Sequence, residues 1–286
     1  MASTHDYNMD TRNDNIHIYI NGFFFHRSEA KVSVMDSGYL LGDGVWEGIR
    51  LHKGTLIHLD AHLDRLFSGA KSIAMDIGLS CEEIILAVRK TLEKNKMESD
   101  VHIRLIVSRG IKKTPYQHPK VTLGKPTVVI IPEYKKASED VKEKGITLAR
   151  VKTRRDHSIQ DPRINSLSKH NCIAACIEAD KLGADEGLML DPYDFVSTCN
   201  STNFFIVKNG EVWTSTGEYC LNGVTRGSII RLCEEYNIPI FEKNFNVEDV
   251  HSANEVFVTG TFAGVIPVPS VDGKTIGNGT RGSITE

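Results

Sequence analysis

The sequence has no long apolar run. No segment approaches the ~20 consecutive apolar residues of a membrane-spanning helix, so no membrane partner is expected. It has no basic excess either: 34 Lys and Arg stand against 37 Asp and Glu, a net charge of −3. A general nucleic-acid binder wants a basic surface, so none is expected as a partner. The first 15 residues are polar and mixed in charge, without the apolar core of a secretory signal. They imply a flexible N-terminus over 1–15 and a cytoplasmic location. The six cysteines, at 81, 172, 176, 199, 220 and 233, form no C-x-x-C pair. Reduced, packed thiols are expected in place of disulfides. His58 and His62 lie four apart, but no glutamate follows His58 and no third ligand is evident, so no metal site is expected. Asn200 and Asn278 match the glycosylation acceptor, and without a secretory signal those matches are expected to be empty. Internal repeats and low-complexity tracts are absent.

What remains is an ordinary globular balance, 40% hydrophobic and 25% charged over 286 residues, enough for one or two domains. Ile16 to Ile20 alternates and ends at Asn21-Gly22, a strand and a turn. Phe23 to Phe25 and Lys31 to Val34 read as further strand pieces. Leu59 to Ala74 carries apolar residues at helical spacing. Ser80 to Lys94 is a second helix, opened by a capping box of Ser80 and Glu83. Val101 to Val107 and Thr127 to Ile131 are apolar runs of strand length. Together these predict a small N-terminal α+β domain over 16–133. The charged stretch 134–144 is the expected linker. A larger C-terminal domain over 145–286 follows, with a helix over Ser168 to Leu182 and strands over Ile146 to Val151 and Gly187 to Leu190. A hairpin turns at Asn209-Gly210, and an amphipathic helix covers Thr225 to Tyr236.

Three segments have the chemistry of an anion site. Leu221-Asn222-Gly223-Val224-Thr225-Arg226 precedes a helix, whose first N–H groups point outward unsatisfied. Thr259-Gly260-Thr261-Phe262-Ala263-Gly264 puts small residues and hydroxyls at the end of a buried strand. Arg65, in His62-Leu63-Asp64-Arg65-Leu66, offers a planar guanidinium suited to phosphate. Each alone has an ordinary alternative: a capped helix, a β-turn, a solvated arginine. A fourth block, Gly38 to Arg50, reads by itself as a glycine-rich loop between two strands.

In order and spacing, these segments resemble the class IV pyridoxal-phosphate aminotransferases, over about residues 16 to 280. The resemblance implies a two-domain fold-type IV enzyme of mixed β-sheets, with packed helices and a barrel-like C-terminal domain. It also implies pyridoxal 5′-phosphate as cofactor, an amino acid and a 2-oxo acid as partners, and a homodimer or larger. On that basis Arg65, Gly223, Val224, Thr225 and Thr261 match the phosphate cup, Leu221 the apolar residue against the ring, and Asn203 the end of the ring-nitrogen motif. The glutamate that opens that motif in the family is replaced by Thr198, whose hydroxyl can hydrogen-bond the nitrogen but cannot neutralise its charge. Tyr39, Trp46, Arg104, Phe262 and Ala263 match the substrate pocket, with a lean to branched-chain or similar apolar amino acids.

The position of the family's cofactor-bonded lysine holds Asn165. An amide is no nucleophile and no useful base. Three explanations compete: an engineered substitution, a natural relative without the lysine, or an amine moved to Lys169. The last is the expectation adopted, because Lys169 lies four residues on and shares a helical face with position 165. A lyase of the aminodeoxychorismate type and a silent cofactor-binding protein are the alternatives for the whole chain.

Overall fold

The computed structural model describes residues 9–286, so the first eight residues of the terminus expected over 1–15 lie outside the described residues. Within the rest of that stretch, Thr11–Asn15 forms a 3-10 turn with Asn13 buried. The chain divides into two compact units. The N-terminal unit runs to Lys136 and also takes in Ile164–Lys169; the C-terminal unit comprises Ala137–Arg163 and His170–Glu286.

The N-terminal unit is one antiparallel sheet with helices. Its strands are β1 (His17–Ile20), β2 (Phe23–His26), β3 (Gly44–His52), β4 (Thr55–Ile57), β5 (Val101–Ser108) and β8 (Thr127–Tyr134), in the order β2-β1-β8-β5-β3-β4. The short pair β6 (Ile111–Lys112) and β7 (Thr122–Leu123) forms a separate hairpin. Asn21 and Gly22 both take positive φ, as the tight β1–β2 turn requires. Helix α1 (Ser37–Leu41) is capped by Asp36, α2 covers Leu59–Ser72, and α3 (Cys81–Lys94) opens with the expected Ser80–Glu83 box. Leu63, Leu66, Ile84 and Val88 pack from α2 and α3 onto Ile49, Ile103 and Ile130 of the sheet.

Two expectations fail here. Lys31 to Val34 is not a strand; it lies exposed between β2 and α1 without a ladder partner. The glycine-rich block is no loop: its second half is β3, paired with β5 along its length from Gly44↔Ser108 to Leu51↔Val101. Glycine is needed there for close approach. A Cβ on Gly44 would lie 2.4 Å from the Val107 carbonyl oxygen and 2.6 Å from a Leu167 methyl. Tertiary packing overrides the usual weakness of glycine in strands.

In the C-terminal unit the expected linker is partly ordered, since Glu139–Lys144 forms helix α4 around the buried Val141. Strands β9 (Thr147–Arg150), β10 (Glu186–Leu190), β11 (Val196–Cys199), β17 (Ser270–Val271) and β18 (Lys274–Thr275) form a mixed sheet, order β11-β10-β9-β17-β18. A second mixed sheet runs β14-β13-β12-β15-β16, from β12 (Asn203–Lys208), β13 (Glu211–Thr214), β14 (Ile240–Glu242), β15 (Glu255–Gly260) and β16 (Gly264–Pro267). The fold class is the expected mixed one, but the described strands form two five-stranded sheets and not a closed barrel. The remaining helices are α5 (His170–Lys181), α6 (Val224–Glu235) and α7 (Val247–His251). Strand β12 is buried on both faces: Phe204 joins the core that also holds Leu148 and Leu188 of the other sheet, and Phe205 stacks on Phe257 beneath α6. No helix among the described residues is long and apolar enough to cross a membrane, and all six cysteines are free.

Candidate active site

In the N-terminal unit, a carboxylate with no local signature in the sequence organises the phosphate-binding candidate. Glu47 on β3 is fully buried. Its Oε1 accepts from Arg65 Nε at 2.8 Å and its Oε2 from Arg65 Nη2 at 2.7 Å, a bidentate pair. His62 Nδ1 lies 2.7 Å from the same Oε2. Burial pulls the Glu47 pKa up, but the hydrogen bonds from Arg65 and His62 outweigh it and hold the carboxyl below its usual range. Arg65 is thus fixed by its partner rather than solvated. The sequence signal for this was the apolar face of α2, to which His62 belongs; Glu47 itself was masked by the loop reading of β3.

The segment that carries Asn165 docks on the same strand. Trp46 N–H donates to the Asn165 carbonyl at 3.0 Å, and Leu167 N–H donates to the Gly44 carbonyl at 3.0 Å. Val45 and Ser166 form an antiparallel bridge, and the Trp46 indole N–H donates to the Ser166 carbonyl at 3.2 Å. Asn165 is buried, and its Oδ1 accepts from Lys169 Nζ at 3.2 Å. Helix α5 begins only at His170, later than expected, so Lys169 reaches back from the residue before it. The Trp46 ring has Arg104 stacked on it at 3.8 Å and Lys169 Nζ at 5.2 Å. Burial lowers the Arg104 pKa, partly countered by Glu133 on the next strand. Of the other substrate-pocket candidates, Tyr39 is exposed on α1.

In the C-terminal unit, α6 starts at Val224 with Gly223 as N-cap and no side-chain cap, so no side chain meets the N–H groups of Val224 and Thr225. Asn203 holds the approach: its Nδ2 donates to the Leu221 carbonyl at 2.8 Å. Its Oδ1 lies only 2.1 Å from where a Cβ on Gly223 would stand, so any other residue there must displace the Asn203 amide. Strand β15, directly across from Asn203 at Thr259, packs against α6. The Thr259 hydroxyl is buried and unpartnered. Alternation along the strand, which puts Thr259 and Asn203 on one sheet face, was the available signal for it. Thr261, Phe262 and Ala263 form the turn to β16, with Phe262 and Ala263 buried in the unit's core. Thr198, on β11, is buried and donates its hydroxyl proton to the Thr202 carbonyl at 2.7 Å. Its oxygen retains only acceptor capacity.

Comparison with known proteins agrees over nearly the whole chain. Residues 44–271 match the amino-transferase class IV family. A provisionally named branched-chain-amino-acid aminotransferase of Methanocaldococcus jannaschii is 40% identical over 273 residues, 94% of this chain and 92% of that one. A D-alanine aminotransferase of Staphylococcus aureus is 32% identical, covering 94% and 93%. The structure of the Escherichia coli branched-chain amino acid aminotransferase superposes with a TM-score of 0.88 at 28% identity, covering 95% of this chain and 91% of that one. The T.th. branched-chain amino acid aminotransferase, complexed with N-(5′-phosphopyridoxyl)-L-glutamate, gives 0.86 at 28% identity, covering 95% and 90%.

Proposed function

We infer that this chain, which belongs to the class IV aminotransferase family, uses pyridoxal phosphate to move an amino group between an amino acid and a 2-oxo acid. The residues of the C-terminal unit fit the phosphate end of that cofactor. The N–H groups of the uncapped helix start and the buried, unpartnered Thr259 hydroxyl are donors lacking an acceptor, and Gly223 leaves room for the Asn203 amide beside them. Gly223, Val224, Thr225 and Thr261 would hold the phosphate from the C-terminal unit; in the N-terminal unit Arg65, fixed by Glu47, is the charged phosphate-binding candidate. Leu221, steadied by Asn203, would lie against the ring, and Thr198 would accept a hydrogen bond at the ring nitrogen without neutralising it. Bound there, the cofactor supplies an aldehyde to take the amino group and a conjugated ring to spread the electrons released at Cα.

The active amine is Lys169. One observation supports this: its Nζ lies 3.2 Å from Asn165 Oδ1, within hydrogen-bond reach of the residue that matches the family's lysine. In this reading Lys169 moves the proton at the substrate Cα, and Asn165 orients Nζ through its carbonyl oxygen. The substrate-pocket candidates are Tyr39 and Trp46, stacked with Arg104, in the N-terminal unit, and Phe262 and Ala263 in the C-terminal unit. The identity to branched-chain relatives supports an apolar amino donor; the D-alanine relatives make a small D-amino acid the second candidate. Exposed apolar side chains on the N-terminal unit, including Phe23, Val34 and Tyr39, support a homodimer.

Borohydride treatment of the cofactor-loaded chain, followed by peptide mapping, tests the central claim. The expected result is cofactor fixed on Lys169, abolished by Lys169→Ala and retained by Asn165→Ala. Cofactor held without fixation and without turnover would make the chain a silent binder. Product analysis with leucine, D-alanine and aminodeoxychorismate then separates the donors, and pyruvate release from the last alone would mean a lyase.

A further inference from the structure

We propose that the β6–β7 hairpin of the N-terminal unit binds a small anion, a carboxylate or inorganic phosphate, between Lys112 and Thr122. Lys112 is 1% exposed and is one of the largest fully buried side chains among the described residues. Its Nζ has no hydrogen-bond partner, and neither has the buried Oγ1 of Thr122. The two residues are direct partners in the hairpin register, Lys112↔Thr122, so their side chains rise on the same face. An ammonium carries three donors and no acceptor, and burial without a counter-charge is strongly unfavourable. A hydrogen bond between Nζ and Oγ1 would relieve part of that, yet it is not made. What the pair lacks is a negatively charged acceptor.

The surrounding chain agrees. Between Arg109 and Lys125 there are five Lys and Arg and no Asp or Glu. Arg109 already has its carboxylate, Asp43, at 2.7 and 3.0 Å, and its other donors meet the carbonyls of Ile73 and Ala74. Lys112 has none. The positive field of the segment draws an anion, and a hydroxyl beside the ammonium gives it a second hydrogen bond. Entry asks little of the fold. The hairpin has only two paired residues on each strand and is tied down by the Lys112 N–H to the Met35 carbonyl and the Asp36–Ile111 bridge, so local opening admits a ligand. The site shares no residue with the cofactor cup, so its failure would leave the proposed reaction untouched.

Calorimetric titration of the full chain, saturated with pyridoxal phosphate to fill the cup, tests the proposal. Sodium acetate and sodium phosphate serve as probes at constant ionic strength, made up with chloride. The expected result is saturable binding of at least one probe, weakened at least tenfold by Lys112→Met and severalfold by Thr122→Val. Acetate alone would identify a carboxylate site, and phosphate alone an inorganic phosphate site. No binding of either probe to the unaltered chain would overturn the proposal, as would equal affinity in both variants. Should Lys112→Met fail to fold, Thr122→Val decides, and an unchanged affinity there also overturns it.

Discussion

At the scale of single residues, the Glu47–Arg65 pair makes two separable predictions. Arg65→Ala should weaken cofactor binding by about 1.5–3 kcal/mol, the usual size of a hydrogen bond to a charged group, while Thr261→Ala should cost less; a titration that shows no change for Arg65→Ala would remove it from the cup. Glu47 predicts a pH dependence. Its folded pKa is held below the ordinary glutamate value near 4.3, so its contribution to stability is fully present above that value. The contribution is lost as pH falls through the lower, folded one. Removing one partner of a buried pair costs about 3–5 kcal/mol. Glu47→Gln should therefore be markedly less stable than the unaltered chain at neutral pH, and the two urea midpoints should converge as pH drops below about 4. A constant gap down to the acid limit would show that the carboxylate charge is not what holds Arg65. The sequence singled out Arg65 by its fork of donors; what fixes that fork, a glutamate on a neighbouring strand, has no signature in local spacing.

At the scale of elements, the start of α6 predicts a clean steric effect. Gly223 has φ near −64°, which alanine adopts without strain, so Gly223→Ala changes only space. The added methyl must displace the Asn203 amide and with it the anchor of Leu221. Cofactor affinity should fall at least tenfold, about 1.4 kcal/mol. Ser80→Ala, at the capping box of α3, should instead lower stability by about 1 kcal/mol and leave affinity alone. Equal affinity for Gly223→Ala and the unaltered chain would mean that the Asn203 contact has no part in the cup. The contrast also shows which elements were legible. Helix α3 was read to the residue because its cap and its apolar stripe are local. Strand β3 was not, because its two glycines speak against a strand locally; the close approach of Val107 and Leu167 demands Gly44, and the His102 ring crowds Gly48, all from residues far along the chain. Lys31 to Val34 alternates like a strand but finds no partner strand, and a strand is made by its ladder. The proposed cup follows from the order and spacing of motifs, whereas Lys112 and Thr259 stand out only once burial is known.

At the scale of the whole molecule, light scattering at micromolar concentration should give a dimer mass, and charge substitutions such as Val34→Lys should shift it toward monomer; a monomer with cofactor bound would remove the exposed apolar face as an interface. A second consequence follows from the six residues Ile164–Lys169. They belong to the N-terminal unit although the chain has by then built part of the C-terminal one. The hexapeptide that presents Asn165 and Lys169 is therefore inherited with one half of the gene and folded with the other. The two halves are not interchangeable parts: a chimera joined at residue 136 would seat its own hexapeptide against a foreign β3, where Trp46, Gly44 and Leu167 must match. Recombination between relatives then has to carry this short stretch along with the distant segment that encodes β3 or change both at once, so the hexapeptide and the strand beneath it should drift through evolution as one unit.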